Sequence, residues 1–177
     1  LGWTSAEHVA ANTRPLLAVL EYAARTRPAA FVFLSSSGVF AAGDGHGVLT
    51  DAGMYYSESG DEWKKFNTRD GMGIKLLQRA GLVTAIVTQE RTRLVARRGE
   101  KLAIPEVHQG VMDKLSLIRE MAARHGLTLQ QVAYIGDDVN DLESLRAVGF
   151  SAAPADGMPV VCDAVDYVCH KKGGEGA

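Results

Sequence analysis

Between Leu82 and Val168, short apolar runs alternate with longer amphipathic segments, and this alternation constrains the fold more than any other feature of the chain. "LVTAIVT", "EVHQG", "QVAYIGDD" and "FSAAPA" read as strands, with "RTRLVARRGEKLAI", "DKLSLIREMAARHG" and "NDLESLRAVG" as the helices between them. A short helix, a short strand and a glycine-rich tail follow in "PVVCDAVDYVCHKKGGEGA". Strands joined through helices by short loops imply a parallel sheet covered on both faces, a three-layer α/β architecture. Ligands in such sheets sit at the carboxyl ends of the strands, so the polar residues just after each apolar run are the ones to interrogate.

Upstream, residues 5–26 carry apolar side chains at helical spacing, with Pro15 suited to a first turn capped by Asn12 or Thr13. "AAFVFLSSS" reads as a buried strand, and "VFAAG" as a second weak strand or its continuation. Residues 53–66 alternate around a polar turn at 57–60 and predict a β-hairpin, and "DGMGIKLLQRAG" predicts a helix stopped by Gly81.

A chain of 177 residues suits one domain with a sizeable core. A formal net charge of −2 argues against a polyanion partner, so no nucleic acid is expected. Cys162 and Cys169 fit no metal pattern and read as two free thiols in a reducing compartment. The sequence contains no apolar run of membrane-spanning length and opens on no signal peptide, so a cytoplasmic protein without membrane contact is expected.

Four polar clusters fall at expected strand ends: Asp44 and His46 in "GDGHG", Thr88 and Glu90 in "VTQE", Lys114 after "QGVMD", and Asp137, Asp138 and Asp141 in "GDDVND". Singly, each has a plainer reading. Asp138 or Asn140 suits a helix cap, and a lysine at a helix start is usually a solvated charge. Together they suit phosphoryl transfer. A carboxylate attacks phosphorus, a hydroxyl and an ammonium hold the phosphate oxygens, and a strand-end carboxylate holds Mg2+.

The order and spacing of "GVLTDAGMYYSESGDEWKKFNTRDGMGIKLLQRAG", "AIVTQE", "QGVMDKLS", "VAYIGDDVNDLESLRAVG" and "KKGGEGA" resemble the haloacid dehalogenase superfamily. Within it they are similar to the small capless phosphatases of eight- and nine-carbon keto-sugar phosphates. The resemblance covers about residues 44–177, with residues 1–43 an additional helix–strand segment that is not an independent domain. It implies a Rossmann-like parallel sheet with a β-hairpin flap and no large cap. It further implies Asp44 as nucleophile, with Asp44, the backbone carbonyl of His46 and Asp137 holding Mg2+, and Asp138 and Asp141 supporting the metal. Thr88 and Lys114 would bind the phosphate of a small-molecule sugar phosphate. The resemblance also implies a homotetramer whose glycine-rich tail can reach a neighbouring active site.

Octulosonate-type members usually carry Gly-Arg where this chain has Gln89-Glu90. Glu90 with Arg98 and Lys101 resembles the substrate-binding set of the nonulosonate branch, and the two basic residues, one turn apart, could pair with a substrate carboxylate. A solvated basic helix face is the competing reading, since Arg91, Arg93 and Arg97 crowd there.

The motif departs from the family at one position. D-x-D-G is expected, and the chain reads Asp44-Gly45-His46-Gly47. Imidazole can do acid–base work near neutral pH, which gives His46 the acid's role, although a cation beside it disfavours its protonated form. The segment before it, about residues 5–51, resembles the middle of an extended short-chain dehydrogenase or sugar epimerase. That likeness nominates Ser36 or Ser37, but no GxxGxxG loop precedes it. Tyr167 and Lys171 alone match the Y-x-x-x-K spacing, far downstream. Three readings follow: a phosphatase, a non-catalytic assembly domain with the phosphatase fold, and an NAD-dependent epimerase fragment.

Overall fold

The computed structural model describes residues 31–36, 47–51, 53 and 55–177. The expected helix over 5–26, "VFAAG", Ser37, Asp44 and His46 lie outside the described residues. A six-stranded sheet organises the rest, in the order β5-β4-β1-β6-β7-β8, and every neighbouring pair is parallel. Its strands are β1 (Phe31–Ser36), β4 (Thr84–Thr88), β5 (Glu106–His108), β6 (Val132–Ile135), β7 (Phe150–Ala153) and β8 (Tyr167–Val168). Helices α1 (Thr68–Arg79), α2 (Arg93–Leu102), α3 (Lys114–Arg124), α4 (Leu142–Ala147) and α5 (Pro159–Cys162) connect or flank them.

Strand periodicity divides the core into two layers. Ile86 of β4 and Ala133 of β6 join Ile74, Leu77, Val95 and Leu102 on the face covered by α1 and α2. Ala85, Val87, Val132 and Tyr134 point the other way, onto Ile118, Met121, Leu145 and Val161 of α3, α4 and α5. Successive strand residues face opposite sides, so continuous apolar runs such as "TAIVT" are what a doubly covered sheet requires.

The helix starts follow local chemistry. Asn67, Thr92 and Asp113 each accept a hydrogen bond from the first turn of α1, α2 and α3. The "NDLESLRAVG" segment is shorter as a helix than its pattern predicts. A 3-10 turn, Val139–Asp141, precedes α4 because the side chains of Asp138 and Asp141 hold the backbone there.

Of the two upstream segments that read as strands, Phe31–Ser36 stands in the sheet, and residues 39–43 lie outside the described residues. It occupies the centre, pairing with β4 from Val32↔Thr84 to Ser36↔Thr88 and with β6 from Phe31↔Val132 to Leu34↔Ile135. The sheet therefore spans the junction between the two sequence resemblances. Seven residues, 37–43, separate the end of β1 from Asp44.

The expected hairpin forms from β2 (Tyr55–Tyr56) and β3 (Glu62–Trp63), antiparallel, with Thr50 bridging to Phe66 at its base. Among the described residues no helix is long and apolar enough to cross a membrane.

Candidate active site

Parallel strands place Thr88, Glu90, Gln109, Asp137 and Asp138 along one edge of the sheet, at or just past the ends of β4, β5 and β6. This is the edge where ligands sit in such folds. Thr88, at the tip of β4, is fully buried, and its hydroxyl accepts the N–H of Glu90 at 3.1 Å. Its carbonyl accepts from Val111 at 3.0 Å, tying the loop before α3 to the strand end.

Lys114 opens α3 and is 2 % exposed, so the solvated-charge reading fails. Its ammonium donates to Asp141 Oδ1 at 2.7 Å and to Asn140 Oδ1 at 2.9 Å. The same Asp141 oxygen accepts from the Tyr134 hydroxyl at 2.5 Å, while its other oxygen takes the Asp137 N–H at 3.3 Å. Asp141 thus locks the lysine, the β6 tyrosine and the carboxylate-bearing turn into one buried unit. Gly136 makes this possible, because a Cβ there would stand 2.7 Å from Asp141 Cβ and Cγ.

Asp137 is itself 2 % exposed at the end of β6. A carboxylate so buried at a strand end offers hard oxygen donors, the chemistry that suits Mg2+ over softer metals. Among the described residues no group of three potential ligands surrounds a common point. Asp44 and His46, the other expected ligands, lie outside the described residues. Asp138 caps the 3-10 turn, accepting the Val139 N–H at 2.6 Å, which is the structural role its position allowed.

The expected substrate trio is not brought together within this chain. Glu90 makes a two-oxygen ion pair with Lys64 of the hairpin. Helix α2 runs back from the strand ends, so Arg98 and Lys101 lie roughly 8 and 12 Å down its axis from Arg93. Arg98 donates to the Asn67 carbonyl at 2.7 Å and stacks 5.2 Å over the Phe66 ring, facing Asp70. Burial drives the Arg98 pKa down, and the charge of Asp70 partly restores it. Lys101 is exposed.

Three residues that sequence reasoning missed shape the site: Tyr134, Gly136 and Lys64. Lys64 carried no sequence signal: only in the folded hairpin do residues 62–66 alternate half-buried and exposed, which puts it on the inner side with Phe66. Tyr167 and Ser36 lie three strands apart, so the Y-x-x-x-K spacing makes no site with β1.

The tail closes the same region. Gly173 and Gly174 are buried against residues 47–51, and Gly174 N–H donates to the Val48 carbonyl at 3.2 Å. A Cβ on Gly173 would lie 1.7 Å from the Gly47 carbonyl oxygen. The segment after His46 is thus held by the chain's own glycine-rich end and by Val48 and Leu49 in the core.

Comparison with known proteins agrees with this geometry. A family model described as haloacid dehalogenase-like hydrolase matches residues 89–176. The 3-deoxy-D-manno-octulosonate 8-phosphate phosphatase KdsC of Yersinia pestis is 40% identical over 134 residues, 76% of this chain and 72% of that protein. The chain belongs to the haloacid dehalogenase-like hydrolases. Within them it falls with the capless keto-sugar-phosphate phosphatases, a group of phosphoric monoester hydrolases.

Solved structures place this hydrolase in the same group. The Moraxella catarrhalis 3-deoxy-D-manno-octulosonate 8-phosphate phosphatase, solved with magnesium, phosphate and KDO, superposes with a TM-score of 0.77 at 31% identity, covering 90% of this chain and 85% of that one. The cobalt-bound Haemophilus influenzae enzyme gives a TM-score of 0.73 at 35% identity, covering 83% and 81%.

Proposed function

We propose that this hydrolase is a Mg2+-dependent phosphatase that cleaves the terminal phosphate of an acidic eight- or nine-carbon keto-sugar, through a phosphoryl group carried on Asp44. The observation that carries this reading is the buried Thr88–Lys114–Asp141–Asp137 constellation at the carboxyl edge of the sheet. The names of its relatives support octulosonate 8-phosphate as the first substrate to try. Nonulosonate 9-phosphate is the second, on the strength of Gln89-Glu90.

In this mechanism an Asp44 carboxylate oxygen attacks phosphorus, while the Thr88 hydroxyl and the Lys114 ammonium hold the phosphate oxygens. His46 protonates the departing sugar alcohol, then takes a proton from the water that releases phosphate from Asp44. Asp44, the backbone carbonyl of His46 and Asp137 would hold Mg2+, whose charge offsets the repulsion between nucleophile and phosphate. Asp141 contributes by positioning: it fixes the Lys114 ammonium and receives the Asp137 N–H. Asp138 supports the metal side by shaping the turn that follows. A cytoplasmic homotetramer acting on a soluble sugar phosphate completes the proposal.

One observation favours a second reading, a weakened or non-catalytic assembly module. The strand at the centre of the sheet ends at Ser36, and seven residues separate it from Asp44, whereas the family pattern seats the nucleophile directly after an apolar strand. Phosphate release from both sugar phosphates with Mg2+, in the natural chain and in His46→Asp, separates the two. Turnover by the natural chain establishes the phosphatase, and rescue only by His46→Asp marks the histidine as the disabling change. No turnover by either, with a stable oligomer, supports the module.

A further inference from the structure

The hairpin over the site presents most of its large side chains to solvent. Tyr55, Tyr56 and Trp63 are 50%, 69% and 63% exposed. Two paired strands of two residues each, without a buried face, are marginal on their own. The turn at the tip is self-contained: Ser57, Ser59 and Asp61 bond one another. Tyr55 and Lys65 both reach Asp51 at the hairpin's own base.

Among the described residues, attachment to the body comes from two places. At the base, Thr50 bridges to Phe66, and Arg98 lies over the Phe66 ring and bonds Asn67. Between that base and the paired strands, Lys64 is 6% exposed and pairs with both oxygens of Glu90, itself 16% exposed. Glu90 stands two residues beyond Thr88, and its N–H is bonded to the Thr88 hydroxyl. The pair therefore joins the hairpin to the strand end that carries a phosphate-binding side chain.

The geometry points to Lys64–Glu90 as the latch that seats the hairpin over the catalytic edge, with Glu90 a positioning residue and not a substrate ligand. This assignment rests on the phosphatase reading for its purpose but not for its test. A half-buried pair of this kind is weakly screened, and removing either partner leaves an uncompensated charge at the hinge of an otherwise exposed element. The hairpin then loses its upper attachment and opens more often. A substrate ligand would behave differently, because Glu90 and Lys64 would contribute separately.

The test is amide hydrogen exchange over residues 55–63 in the full chain, for Lys64→Met, Glu90→Gln and the double variant. Each single change is expected to speed hairpin exchange by about tenfold or more, the scale set by losing one charged hydrogen-bonded pair. The double variant should be no faster than the faster single, since both changes break one contact. Should Lys64→Met loosen the whole fold, the nearly isosteric Glu90→Gln carries the test through the same readout, with α3 and β6 amides as the internal reference. Hairpin exchange unchanged in Glu90→Gln, or a double variant equal to the product of the singles, overturns the latch. Exchange is read without substrate, so a chain that turns over nothing still tests the latch, and failure of the latch leaves the phosphatase reading standing.

Discussion

Asp70 offers a quantitative check on how the N-terminal turn of α1 is buried. Its carboxyl is pushed up from 3.8 to about 7, first by burial, against the opposing pull of the Arg98 charge and of the Gly176 N–H. One of its oxygens is buried without a hydrogen-bond partner, as is Arg98 Nε, so the two groups attract without bonding. The folded state holds this proton more tightly than the unfolded chain does. The group's contribution to stability is therefore complete below pH 3.8 and is lost as the pH rises through about 7. At 1.36 kcal/mol per pKa unit, a rise of roughly three units corresponds to about 4 kcal/mol lost above pH 7, an upper figure because part of the side chain reaches solvent. Asp70→Asn removes the titration while keeping the acceptor for Gly176. Urea unfolding between pH 5 and 8.5 should show the variant gaining on the natural chain as pH rises, by roughly 2–4 kcal/mol at the alkaline end. A difference that does not change with pH, or a variant less stable at pH 8.5, refutes the assignment of Asp70 as a buried, charge-penalised acid.

Three further outcomes follow from the buried unit and the tail. Lys114→Met strands the Asp141 carboxylate and should cost about 3–5 kcal/mol in a denaturant melt, with phosphate release abolished. Gly136→Ala drives a methyl group into Asp141, and about 1–3 kcal/mol of lost stability together with reduced turnover is expected from the same assays. Gly173→Ala cannot keep the tail against the Gly47 carbonyl, so limited proteolysis should cleave the tail sooner than in the natural chain while the sheet stays intact.

Much of the architecture was legible because the sheet is covered on both faces. Runs such as "TAIVT" and "VAYI" have no solvent face to interrupt them, and the helices between carry capping residues at Asn67, Thr92 and Asp113. The central strand was ambiguous because "FVFLS" and "VFAAG" are both short and apolar, and pairing with β4 and β6, which puts the first at the centre, is not written in either run. Lys114 and Asp141 were legible as functional candidates, but their mutual bond was not. Two residues 27 apart meet only because α3 starts beside the turn after β6. The contacts of Arg98 with Phe66 and Asn67 were not legible, because helical spacing says which residues share a face, not which end of the sheet the helix carries them to. Lys64, with no motif of its own, emerges only from the hairpin's fold.

The most direct measurement of the central claim is the fate of the phosphoryl group in a single turnover. The full chain is mixed with Mg2+ and octulosonate 8-phosphate or nonulosonate 9-phosphate, quenched in acid, and its peptides are weighed. A phosphoryl group on the peptide containing Asp44, absent in Asp44→Asn, is the expected result. Phosphate release that persists in Asp44→Asn would contradict Asp44 as the nucleophile, and no phosphoryl transfer from either sugar would contradict the phosphatase itself.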